Sequence, residues 1–152
     1  MADYITWIRS KVGHDPVILV GVCVVVSDDE NKILLQRRSD NKAWCLPGGH
    51  MEIGETAQST VEREFFEEMG TKLTVKDFVG VYTNRNIMTY PNGDKSYPIG
   101  IFFTGIVKSK ITIGEEVLQF EYFSQQNLPN YILEAHTEPI SDYFAGKRGV
   151  IR

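Results

Sequence analysis

Apolar residues at helical spacing open the chain. Tyr4, Ile8 and Val12 fall on one face, which predicts a short amphipathic helix over residues 3–12 that ends at Gly13. This face is also a candidate contact for a homodimer.

A stronger helical pattern lies near the middle of the chain, in an interval without Gly or Pro. Apolar residues recur there at every fourth position: Ala57, Val61, Phe65 and Met69. Thr56 is suited to cap this helix at its start, and Gly70 to end it. A last short helix is predicted over residues 138–145.

Between the helices lie runs of β-branched and aromatic residues. They predict strands at 17–27, 32–38, 73–84, 98–107 and 117–124. The polar residues 28–31 form a turn, so we expect the first two strands to pair as a hairpin. The order of elements predicts a single α/β domain over residues 1–152, with a mixed sheet sandwiched between helices.

Net charge and hydropathy argue against several classes of function. The chain of 152 residues has a net charge of −4 and no block of Lys or Arg, which argues against binding to long nucleic acid. The most apolar run, residues 17–26, is shorter than the roughly 20 residues of a membrane span. The N-terminus lacks the apolar segment of a secretory signal, so we expect a cytoplasmic protein without a membrane partner.

The central helix has an unusual distribution of acids. Glu64, Glu67 and Glu68 share one side, beside its apolar stripe. Like charges at this spacing repel, and the helix dipole disfavours carboxylates in the last turn by roughly 0.3–1 kcal/mol each. A solvated helix face is the simpler interpretation, but Arg63 is the one counter-charge nearby. A bound divalent cation would resolve the conflict, because it prefers several converging carboxylate oxygens.

These acids belong to a longer pattern with fixed spacing. Its members are Gly49, Glu55, Arg63, Glu64, Glu67, Glu68 and Gly70. The pattern resembles the Nudix box, the signature of hydrolases that act on nucleoside diphosphates linked to another moiety. The preceding Pro47-Gly48 and the order of elements also resemble the Nudix family and its fold. The sequence departs from the box at its closing position, where Thr71 replaces an aliphatic residue in a packing role.

The resemblance implies roles for particular residues. Glu64, Glu67, Glu68 and the carbonyl of Gly48 would be metal ligands, with Arg63 and Glu55 holding the carboxylates in place. The implied cofactor is Mg²⁺, with Mn²⁺ as a substitute. The implied reaction is attack of water on one phosphorus while the other phosphate leaves.

Further candidates lie outside the box. Glu116 precedes the predicted strand 117–124, where the family often has a loop acid that acts as general base or metal ligand; a solvated charge is the alternative. Arg37, Arg85 and Tyr82 are candidates for substrate binding, although single arginines are commonly surface residues and strand tyrosines commonly pack.

The histidines give little support to a metal centre. His14, His50 and His136 are separated along the chain and form no ligand pattern. A minor role at the site is left open for His50, because it follows the glycine turn.

The resemblance therefore implies a hydrolase acting on a small nucleotide-like diphosphate. We favour ADP-ribose or a nucleotide sugar as substrate over a nucleoside triphosphate. A catalytically silent domain that binds a nucleotide as a sensor is the alternative from another class, but such a domain would be expected to lose box acids. The misplaced carboxylates argue against a purely structural interaction protein.

Overall fold

The computed structural model describes residues 3–83 and 85–152, in which three α-helices alternate with short and long strands. The helices are α1 (Tyr4–Val12), α2 (Ala57–Met69) and α3 (Glu134–Phe144). The strands are β1 (Val17–Val26), β2 (Ile33–Arg38), β3 (Trp44–Cys45), β4 (Gly48–His50), β5 (Leu73–Thr83), β6 (Met88–Thr89), β7 (Lys95–Val107), β8 (Val117–Phe123) and β9 (Val150–Ile151).

The strands form two sheets. The larger one is mixed and has the order β4-β1-β7-β5-β9, with β6 added on β7. Within it β1 runs parallel to β7, while β4 and β5 are antiparallel to their neighbours β1 and β7. The smaller sheet is antiparallel, in the order β3-β2-β8. The predicted fold class, one α/β domain with a mixed sheet and helices, is confirmed.

The predicted hairpin of the first two strands is wrong. β1 pairs with β4 on one edge and with β7 on the other, whereas β2 belongs to the smaller sheet. The chain just after β1 meets β2 at an isolated bridge, Ser27 to Ile33. The reason is that β1 is buried on both faces. One face shares a core cluster with Leu34, and the other shares a second cluster with Ile33 and Leu35. The backbone groups of a buried strand need hydrogen-bond partners, and those of β1 find them in β4 and β7.

The last helix begins at Glu134, four residues before the predicted start at 138. Pro139, the second residue of the predicted helix, therefore lies inside the observed one. Pro139 and Ile140 are buried, so tertiary packing outweighs the cost of the missing N–H. The short strands β4, β6 and β9 give too little pattern for prediction from sequence.

The glycine turn at Gly48-Gly49 and the loop after β7 both reach the exposed side of α2. The helix buries Val61, Phe65 and Met69 against the larger sheet, which leaves its acids at the margin of the core. The loop after β7 crosses the end of the helix, where the N–H of Gly114 donates to the carbonyl of Glu68 at 2.8 Å. A Cβ at Gly114 would come within 2.5 Å of the Glu67 carbonyl oxygen, so the loop can approach this closely only at glycine.

Among the helices described, none combines the length and the apolar character that crossing a membrane would require.

Candidate active site

Arg63 is the centre of the acidic face of α2. Its Nε and Nη2 donate to the two carboxylate oxygens of Glu55 at 2.6 and 3.0 Å. Its Nη1 donates to Glu64 at 2.8 Å and, more weakly, to Glu67 at 3.4 Å. Nη2 also donates to the carbonyl oxygen of His50 at 3.2 Å. One planar guanidinium thus connects the helix acids to the segment before the helix, which a point charge such as ammonium could not do.

Glu55 completes this brace from the residue before the helix cap. It also accepts hydrogen bonds from the N–H of Glu52 at 3.0 Å and the hydroxyl of Thr60 at 2.8 Å. The hydrogen bonds from Arg63 are the main reason that the pKa of Glu55 is lowered to about 2. Glu55 is therefore a charged, fully engaged acceptor over the physiological pH range, and it orients Arg63.

Glu68 points into the space between α2 and the smaller sheet. Gln36 donates from Nε2 to its Oε1 at 2.7 Å, and the N–H of Gly48 donates to its Oε2 at 2.9 Å. Both hydrogen bonds favour the charged form. Burial opposes them and dominates, and together with the nearby Glu64 it raises the pKa of Glu68 to about 8.

Glu64 lies directly against the glycine turn. A Cβ on Gly49 would overlap its carboxyl group, so only glycine allows this approach. Burial raises the pKa of Glu64 above its ordinary value despite Arg63, and the charges of Glu67 and Glu116 raise it further. Several carboxylates therefore share a small volume with too little positive charge to balance them.

The glycine turn itself is held between β1 and α2. Gly48 has a φ of +150°, and a Cβ there would overlap the backbone of Val22 and Cys23. The N–H of Val24 donates to the carbonyl of Pro47 at 3.0 Å. The turn is thereby seated on β1, with the Gly48 N–H directed at Glu68.

Glu116 is brought to the same region by its loop. The side chain is exposed, and its backbone carbonyl accepts from the N–H of Ser39 at 3.2 Å. Its charge contributes to the raised pKa of Glu64. The predicted loop acid therefore lies near the helix acids, although their separation along the chain exceeds 40 residues.

The other predicted residues do not join this cluster. Tyr82 is only 7% exposed, and its hydroxyl donates to Asp142 at 2.9 Å, so its burial speaks against the predicted contact with a substrate. The Nε of Arg37 donates to the carbonyl of Lys42 at 3.1 Å, and Arg85 is exposed at a bend after β5. The neighbouring Arg38 is better placed than Arg37 to contact a substrate beside the helix acids, because its positive charge acts on Glu68 and lowers the pKa of that group.

Two residues of the site were missed from the sequence. Gln36 is 2% exposed on β2 and holds Glu68; a lone amide directly after the apolar run 33–35 was a usable signal. His136 accepts the N–H of Leu46 on Nδ1 at 3.0 Å, two residues before Gly48. Its pKa is lowered to about 4, mainly by burial. The ring is therefore neutral with its proton on Nε2, facing Cys23 Sγ at 3.9 Å.

The carboxylate oxygens of the helix acids could hold a hard divalent cation. Across residues 3–83 and 85–152 no three His, Cys, Asp or Glu side chains already converge as a metal cluster. The acids are instead turned toward Arg63, Gln36 and the Gly48 N–H. Their chemistry still fits such an ion, because they are hard oxygen ligands, and burial, aided by the neighbouring acids, raises the pKa values of Glu64 and Glu68.

Comparison with known proteins identifies the family. The model of the NUDIX domain matches residues 17–144. An ADP-ribose pyrophosphatase of Methanocaldococcus jannaschii is 33% identical over 129 residues, which cover 82% of this chain and 72% of that protein. The nucleoside triphosphatase NudI of Escherichia fergusonii is 30% identical over 125 residues, 76% of this chain and 89% of that one. The structure of a NUDIX hydrolase from Nitrosomonas europaea matches with a TM-score of 0.69 at 25% identity, over 88% of this chain and 93% of that chain. The chain therefore belongs to the Nudix hydrolases.

Proposed function

We propose that this chain catalyses the magnesium-dependent hydrolysis of a diphosphate linkage in a nucleoside diphosphate derivative, with ADP-ribose or a nucleotide sugar as substrate. The observation that carries the proposal is the grouping of Glu64, Glu67 and Glu68 around Arg63 and the glycine turn. A silent nucleotide sensor would not need to keep this costly set of acids.

Glu64, Glu67, Glu68 and the carbonyl of Gly48 are the groups proposed to hold Mg²⁺, with Mn²⁺ as a substitute. When bound, the cation would neutralise the diphosphate and lower the pKa of a water molecule. The excess negative charge would attract this cation. Without the cation, a dianionic diphosphate would be repelled by the carboxylates.

The remaining residues hold the proposed metal ligands in place, accept a proton or contact the substrate. Arg63 and Glu55 hold Glu64 and Glu67, while Gln36 and the Gly48 N–H hold Glu68. Glu116 is proposed to take the proton from the water that attacks one phosphorus, as the bridging P–O bond breaks and the other phosphate leaves. Arg37, Arg38 and Arg85 are the cations proposed to contact phosphate oxygens.

The choice of substrate rests on the relatives. The 33% identical protein of Methanocaldococcus jannaschii is named for ADP-ribose. A nucleoside triphosphate is the second candidate, because the 30% identical protein of Escherichia fergusonii is named a nucleoside triphosphatase. The two candidates differ in the products that they release.

The first prediction concerns metal and products. With Mg²⁺, ADP-ribose should give AMP and ribose 5-phosphate, whereas a triphosphate substrate would give a monophosphate and pyrophosphate; mass spectrometry distinguishes them. EDTA should abolish turnover and added Mg²⁺ or Mn²⁺ should restore it, since carboxylates alone repel a diphosphate. Hydrolysis that continues undiminished in chelator would refute the metal-dependent mechanism.

The second prediction uses the pKa of Glu68 in the metal-free protein. Folding raises the pKa of Glu68 from 4.5 to about 8, so between these values the unfolded chain releases a proton that the folded protein keeps. The contribution of Glu68 to stability is therefore complete below pH 4.5 and is lost as the pH rises toward 8. In EDTA, the free energy of unfolding of Glu68→Gln, measured with urea, should therefore increase relative to that of the wild type as the pH rises through this window. The gain should exceed about 1.4 kcal/mol, the equivalent of one pKa unit.

The control for this variant is the same titration with saturating Mg²⁺. Wild type should gain stability from the cation, and Glu68→Gln should gain less, so the difference shrinks or reverses. Turnover by Glu68→Gln should be largely lost. A variant that is less stable than wild type at pH 8 in EDTA would mean that Glu68 serves the fold instead.

The third prediction tests whether Arg63 acts as a planar fork. Arg63→Ala should lower kcat/KM by about 10- to 100-fold and weaken Mn²⁺ binding, since its acceptors lose their orientation. Arg63→Lys keeps the charge but cannot contact Glu55, Glu64 and His50 together, so it should recover little of either property. Full recovery by lysine would show that charge alone is needed.

The fourth prediction separates two adjacent acids. Glu116→Gln should lower kcat by about 10²–10⁴-fold with little change in KM, as expected for a general base. Glu115→Gln is the matched control, chemically identical and also exposed. Sensitivity at Glu115 alone would place the base one residue earlier, and insensitivity at both would leave Glu116 a solvated charge.

A further inference from the structure

A cleft of about 400 Å³ adjoins the acidic face of α2 and is bordered by α1. It shares Arg63 and Glu67 with the proposed catalytic site, so its occupant would lie next to whatever the helix acids hold. The wall opposite consists of Tyr4 and Trp7 from α1 and of Ile53 from the loop before α2.

This wall is unusually apolar for an exposed surface. Trp7 is 42% exposed and Ile53 is 63% exposed, and the rings of Tyr4 and Trp7 lie 6.0 Å apart at an angle of 35°. Nothing on α1 is buried, so the helix does not use these side chains to fill a core. An aromatic pair beside an aliphatic side chain is a surface suited to stacking of a planar ring.

The wall is held in place although no residue of α1 is buried. The N–H of Tyr4 donates to Glu52 at 2.7 Å, which ties the helix to the loop that contains Ile53. At its other end Arg9 donates to the carbonyls of Asp15 and Lys95 at 2.7 and 2.6 Å. The cleft is therefore formed by elements that are anchored to the rest of the fold.

Charge decides which part of a nucleotide fits. Asp3, Glu52 and Glu67 line the cleft, and they would repel a phosphate. Arg63 is the cation of the lining, and it is already engaged by Glu55 and Glu64. A neutral ring with N–H groups would instead stack on the aromatic wall and donate to these carboxylates.

We propose that this cleft binds the nucleobase of the substrate, stacked on Trp7 and Tyr4, while the diphosphate lies on the other side of Glu67. The proposal rests on the proposed function for the identity of the substrate. In this arrangement α1, which precedes the matched family domain, contacts the nucleobase directly.

The test measures binding of product fragments in Mg²⁺, without turnover. AMP should quench the fluorescence of Trp7, and ribose 5-phosphate, which lacks a base, should not; the other tryptophan, Trp44, is only 9% exposed. By calorimetry, Trp7→Ala should weaken AMP binding at least about fivefold, the lower bound for loss of one stacking contact. Ribose 5-phosphate should bind both proteins alike.

Phe66→Ala is the matched control. Phe66 is 55% exposed on the same helix as Arg63 but lines a different cleft, so this variant should bind AMP like wild type. Equal AMP affinity in Trp7→Ala and wild type, or equal quenching by ribose 5-phosphate, would overturn the proposal.

Failure of the proposed function would look different. If wild type cleaves no diphosphate but binds AMP through Trp7, the base site stands and the hydrolase assignment fails. If wild type is active and Trp7→Ala keeps its AMP affinity, the base site alone fails.

Discussion

The crowding of carboxylates around one guanidinium is the constraint on which the site depends. Glu55, Glu64 and Glu67 all accept from Arg63, while Glu68 lies beyond its reach and is held by neutral donors. Burial is the main cause of the raised pKa values of Glu64 and Glu68, and the neighbouring carboxylates add to it. The fold therefore carries an electrostatic cost at this point, and such costs are typical of functional sites.

The fold keeps these acids together through backbone contacts that do not depend on their charge. The glycine turn is bound to β1 by the Val24–Pro47 hydrogen bond, and the loop of Glu116 is bound to the end of α2 through Gly114. His136 adds a third fixed point, since its neutral ring accepts the N–H of Leu46 just before the turn. Because the backbone is held at three points, changing one carboxylate alters the charge of the site with little effect on its framework.

How much the sequence predicts depends on whether the information is local. The acids of α2 lie within one helix, so helical spacing alone places Glu64, Glu67 and Glu68 on one side. The burial of Tyr82, a predicted substrate contact, could not be foreseen in this way, because its hydroxyl pairs with Asp142, 60 residues later. The hairpin failed for a similar reason, since the partners of β1 are β4 and β7. His136 had no local signal, because its partner Leu46 lies 90 residues away.

Coupling between metal and protons follows from the position of Glu68. With a pKa of about 8, this group is largely protonated at neutral pH when no cation is present. A cation that takes Glu68 as a ligand requires the carboxylate, so binding must release a proton. The donors from Gln36 and Gly48 address both oxygens and favour the charged form, which lowers the cost of that release. They therefore keep the carboxylate oriented in both states, and the affinity for the cation should rise with pH until Glu68 is ionised in the free protein as well.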